Sequence, residues 1–135
     1  MLKHVEALVE RSENAFITVI DGNQFPVVKI VNAPRKRDGV KTLYFTTPHH
    51  SKSVAEYAAN DKASVYFVDK GRFQTALFVD HMTLETDDTI RKELFEDEQA
   101  KIFSKGKDLN DYAVLKFVAD NVRFFSNLET TDIAL

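Results

Sequence analysis

The chain has 135 residues, 44% of them hydrophobic and 29% charged, and its 18 basic and 21 acidic side chains leave a formal charge of −3. That is length enough for one domain with its own core, spanning residues 1–135, and the mildly acidic balance offers no electrostatic reason to bind nucleic acid. The absence of cysteine excludes disulfides, thiol nucleophiles and cysteine-ligated metals; the longest apolar runs, such as Val65–Val68 and Ala76–Val79, are four residues against the ~20 of a membrane span; and the amphipathic N-terminus is no secretory signal, so a cytoplasmic protein is expected.

In chain order, Leu2, Val5 and Val9 stand at helical spacing and predict a short amphipathic helix over Leu2–Glu10. Ala15–Ile20, AFITVI, reads as a strand. The Asp21-Gly22-Asn23 turn returns the chain into a second strand, Phe25–Val31. Ala33–Gly39, APRKRDG, reads as a basic loop whose Arg35-Lys36-Arg37 run is solvated or rims an anionic ligand. Thr42–Thr47 is a third strand, and Ser51–Ala59 a short helix in which Ser53-x-x-Glu56 fits a capping box. Ala63–Val68 is a fourth strand, and Phe73–Glu85 a long fifth one with Ala76, Phe78 and Met82 on one face. Asp87 or Asp88 can cap a second long helix, Thr89–Phe103, with Ile90, Leu94, Phe95, Ile102 and Phe103 inward, followed by a polar loop around Gly106. Tyr112–Val118 and Val122–Ser126 are the last strands, and the patternless tail Asn127–Leu135 is expected to fray. Tight turns between successive strands favour antiparallel pairing, and apolar residues on both strand faces favour closure. The fold class expected is mainly β with inserted helices: a six- to seven-stranded antiparallel barrel.

Four isolated glycines, at positions 22, 39, 71 and 106, cannot build a dinucleotide fingerprint or a P-loop. The stretch Thr46-Thr47-Pro48-His49-His50-Ser51-Lys52-Ser53 joins a strand to a helix start. Free N–H groups there, with hydroxyls, an ammonium and imidazoles nearby, suit a phosphate; equally, a serine there serves as an ordinary cap beside a solvated lysine. Lys29, in mid-strand, points outward or brings a cation to a ligand. His49-His50 lacks the spacing of a metal motif, and no metal site is expected. There is no GxSxG elbow, and Glu96, Asp97 and Glu98 read as the solvent face of a helix, so hydrolytic chemistry finds no support. Phe124-Phe125 are adjacent strand residues, so one of them must leave the core for a helix, a partner subunit or a planar ligand.

LYFTTPHHSKSVAEYAANDKASVYF, then KELFEDEQAKIF and DYAVLKFVADNVRFF, together resemble the FMN-binding split-barrel family of pyridoxamine 5′-phosphate oxidase-like proteins, in particular its short general-stress-protein type. The resemblance implies a split β-barrel and an FMN cofactor. It implies that Lys29 lies against the flavin and its phosphate side, that Ile30, Val31 and Asn32 line the ring, that Phe45 and Thr46 sit over the ribityl and phosphate, that Ser51 and Lys52 hold the phosphate, and that Thr47 belongs to the cofactor site. Gln74 corresponds to a polar residue near the ring. It further implies a homodimer with flavin sites at the interface and oxidoreductase chemistry on a small molecule. Ser53 stands where the family usually has lysine, which should weaken phosphate binding by ~1.5–3 kcal/mol, and Asp61 where it has proline. The chain ends SNLETTDIAL, without the segment that binds pyridoxamine phosphate in true oxidases, so vitamin B6 oxidation is not expected. The alternatives are a non-enzymatic stress protein on the same barrel, or haem binding with His49, His50 or His81 as axial ligand.

Overall fold

A computed structural model describes residues 1–99 and 109–135. Its elements are α1 (Leu2–Arg11), β1 (Asn14–Ile20), β2 (Pro26–Asn32), β3 (Lys36–Asp38), β4 (Thr42–Pro48), α2 (Lys52–Ala59), β5 (Lys62–Asp69), β6 (Gln74–Leu84), α3 (Asp88–Gln99), β7 (Tyr112–Val118), β8 (Asn121–Ser126) and β9 (Glu129–Ala134). Every strand pairing is antiparallel, in the order β2-β1-β5-β6-β7-β4-β3, with β8 on β6 and β9 on β8. One edge of β6 carries two partners in succession: Thr75–Leu77 pairs with β8 and His81–Leu84 with β7. An eleven-residue strand is long enough for both, and the division along its edge makes this a split β-barrel.

Strand alternation builds the core. Ala15, Ile17 and Val19 point inward from β1; Val65 and Phe67 from β5; Ala76, Phe78 and Met82 from β6. Phe67 and Phe78 meet edge to face with ring centres 5.9 Å apart. α1 closes one part of the barrel with Val5, Leu8 and Val9. α3 lies outside, where Leu94 and half-buried Ile90 form a separate small cluster with Tyr44 and Val114 from β4 and β7. Of the two candidate caps, Asp87 is the one that accepts the Thr89 N–H, at 2.8 Å. Ile102, Phe103 and the loop around Gly106 lie outside the described residues.

Three local expectations need correction. The basic loop contains a strand: β3 pairs with β4, Lys36 reaches Glu93 at 2.9 Å, and Arg37 pairs with Glu10. The tail does not fray, because Asn127 (φ 52°) and Leu128 (φ 64°) form a two-residue turn and lay β9 along β8. Asn-Leu hides this turn, since leucine rarely takes the left-handed region. Ser53 is no cap; Ser51 occupies that position. Phe124 is buried as required, and within the chain its neighbour Phe125 packs edge-on against Phe73, ring centres 5.8 Å apart.

Candidate functional site

β4 ends at Pro48, and three residues later α2 begins, so the chain turns sharply where β4 hands over to the helix. Ser51 sits at the N-cap, yet its side chain makes no capping bond; its hydroxyl instead accepts a hydrogen bond from Thr47 Oγ1 at 3.1 Å. The first-turn N–H groups therefore keep their positive ends without a side-chain acceptor. Ser53, in the first turn, is only 3% exposed, and the Lys29 ammonium reaches it from β2. Two ammonium groups, Lys29 and Lys52, thus belong to this corner, and no acidic residue lies in the first turn of α2. Among the described residues neither lysine enters an ion pair. Cations placed beside a helix N-terminus repel its dipole, and an anion relieves both.

Beside this corner runs a cleft of about 290 Å³ between the end of β2 and β4. Ile30, Val31 and Phe45 supply apolar surface; Asn32, Thr46, Asn14 and Arg35 supply polar groups. Lys29 shares one face of β2 with Val31, and Thr47 one face of β4 with Phe45, so the basic corner and the cleft adjoin along both strands. An apolar wall with a few convergent polar groups and a cationic end is the make-up of a site for a planar, phosphorylated ligand.

Of the residues singled out from sequence, Ile30, Val31, Asn32, Phe45 and Thr46 share this cleft, and Lys29, Thr47, Ser51 and Lys52 cluster at the helix start. Gln74 does not join them. It begins β6, accepts from the Arg11 guanidinium at 2.8 Å, donates to Ser126 at 3.1 Å, and lines a different depression with His4 and Phe124. Arg35 and Asn14 went unnoticed as cleft residues. Arg35 looks like part of a solvated run until its backbone N–H bonds to the Tyr44 carbonyl at 2.8 Å and turns it along β4. Asn14 reaches the cleft only through pairing with Asn32 across β1 and β2.

The fold and this corner define the class: a split β-barrel protein whose cleft adjoins a basic strand-to-helix junction. A family model described as pyridoxamine 5′-phosphate oxidase like matches residues 1–133, and the chain belongs to that family. No curated protein matches it by sequence. Among solved structures it is similar to a Clostridium acetobutylicum protein related to general stress protein 26 of B. subtilis, of the pyridoxinephosphate oxidase family (25% identity, TM-score 0.85, covering 99% of this chain and 94% of that one). General stress protein 26 from Bacillus anthracis shares the fold at 13% identity (TM-score 0.78, 99% and 98% covered). So does a haem-binding protein from Mycobacterium smegmatis at 10% identity (TM-score 0.75, 98% and 57% covered).

Proposed function

We propose that the chain is an FMN-binding flavoprotein, an oxidoreductase acting on a small molecule. The observation that carries this is the convergence of Lys29, Lys52, Ser51 and Thr47 on the uncapped start of α2, without a carboxylate in its first turn, next to a cleft with an apolar wall and several polar groups. The donor set suits a phosphomonoester dianion, and Ile30, Val31 and Phe45 suit the flat face of a ring. Bound FMN would supply electron or hydride transfer. The chain's own side chains then bind and orient: cations and hydroxyls hold the phosphate, while Asn32, Asn14 and Arg35 offer hydrogen-bonding groups to the polar parts of the ligand.

A second copy belongs to this proposal. On the outer face of the sheet, Ile30, Phe16 and Tyr66 stand opposite one another across β2, β1 and β5, with Val28 on β2 and Val79 on β6 nearby. Val28, Ile30 and Val79 are 64%, 62% and 68% exposed. α3 covers the outer face of β4 and β7, and no helix among the described residues covers this one. An apolar face of this kind marks an interaction surface, and Ile30 carries it into the cleft.

The test is a titration of the purified protein with FMN and with riboflavin, read by absorbance and flavin fluorescence. FMN should bind tightly, and the double substitution Ser51→Ala/Lys52→Ala should weaken FMN by ~10–100-fold while leaving riboflavin affinity nearly unchanged. Equal losses for the two ligands would sink the phosphate assignment. The haem alternative draws support from the Mycobacterium smegmatis neighbour and from exposed His49 and His50 beside α2. It predicts a Soret band on haemin addition that disappears when His49, His50 and His81 are replaced.

A further inference from the structure

At the other end of α2 lies a second depression, of about 450 Å³. Its walls are mixed: Val54 and Ala58 from α2, Leu84 from β6 and Leu115 from β7 supply apolar surface, and Tyr57 and Thr83 stand among them. Leu84 and Leu115 face each other across the β6–β7 ladder, yet Leu115 is 2% exposed and Leu84 45%. Leu84 thus presents an inward-type side chain to an open mouth. The polar end of the depression is Asn60 and Asp61, immediately after the last turn of the helix. That turn contains no basic residue, so the carbonyl ends of α2 carry an uncompensated partial negative charge. Asp61 is the sole charged residue of the lining among the described residues. Among the described residues its one ion contact is with His81, at 3.9 Å, and that imidazole is held closer, at 2.8 Å, by Asp80.

A depression with several apolar side chains, one carboxylate and a helix C-terminus has the opposite electrostatic sign to the basic corner at the start of the same helix. We propose that this depression binds a small organic cation: an ammonium group set against Asp61 and the end of α2, on an apolar body that fills the space between Val54, Ala58, Leu84 and Leu115. The site is distinct from the proposed flavin site, since no residue of its lining belongs to the cleft between β2 and β4 or to the group of Lys29, Thr47, Ser51 and Lys52.

The experiment compares three probes of one shape by calorimetry: protonated 2-phenylethylamine, neutral 2-phenylethanol and anionic 3-phenylpropionate. The amine should bind about fivefold more tightly than the alcohol, as expected for one half-exposed charge pair, and the anion more weakly than both. Asp61→Asn should abolish the preference for the amine and leave the FMN titration unchanged. On the unsubstituted protein, the methyl resonances of Leu84 and Leu115 should shift with the amine, and the amine's advantage should fall with added salt. Absence of amine binding, equal affinity for amine and alcohol, a preference that survives Asp61→Asn, or unmoved Leu84 and Leu115 methyls would each overturn the proposal. Failure to bind FMN would overturn the flavin site alone.

Discussion

Asp69 shows how much a single turn position can carry. Its carboxylate accepts the backbone N–H of Arg72 at 3.0 Å, the Arg11 guanidinium at 2.7 Å and the Arg72 guanidinium at 3.2 Å. These bonds, the Arg72 N–H foremost, hold its pKa down to about 2. A carboxylate depressed in the folded state stabilises above its unfolded pKa of about 4 and loses that contribution as the pH falls toward 2. Asp69→Asn should therefore lower Tm at pH 6, and the gap to the unsubstituted protein should close between about pH 4 and pH 2. Thermal melts across that range check it. Tyr57 makes the complementary case: burial pushes its hydroxyl well above the ordinary phenol range, and the neutral O–H donates to the Thr18 carbonyl at 2.7 Å. Tyr57→Phe strands that carbonyl and should cost about 1–3 kcal/mol in urea unfolding. Neither partner is visible in the sequence, since Arg11 and Asp69 lie 58 residues apart and Tyr57 and Thr18 lie 39 apart.

Among the elements, α2 and α3 differ in how they are held. α2 buries Ser53 and Tyr57 and is bonded through them to β2 and β1, so its position is tied to the barrel. α3 rests on a small satellite cluster around Leu94. Leu94→Ala should cost about 2–3 kcal/mol, and hydrogen exchange should rise in α3 before it rises in β5 or β6; equal rises throughout would mean that α3 unfolds only with the barrel. β9 is held by a full ladder on β8. The composition of β1, β4 and β5, rich in β-branched and aromatic residues, makes these strands legible in the sequence. β3 and β9 escape because KRD and ETTDIA carry few apolar side chains, and backbone pairing alone recruits them.

At the scale of the whole molecule the uncovered face of β2, β1, β5 and β6 is decisive. If a second copy covers it, the protein should sediment at twice its 15.4 kDa chain mass. Val79→Asp should then give a folded monomer with weaker FMN binding, because Ile30 belongs to both the face and the cleft. A protein that is monomeric at micromolar concentration before substitution would remove the dimer from the proposed function. By itself the sequence determined the β-rich class, the helix starts and the group of hydroxyls and lysine between β4 and α2, because alternation, capping and turn chemistry act over a few residues. Only the tertiary structure decided that Lys29 meets Ser53, that Arg35 and Asn14 enter the cleft, that Gln74 stands apart from it within one chain, and that one face of the sheet carries no helix among the described residues. Each of these depends on strand register and barrel curvature, which join residues far apart in the chain and leave no local mark on it.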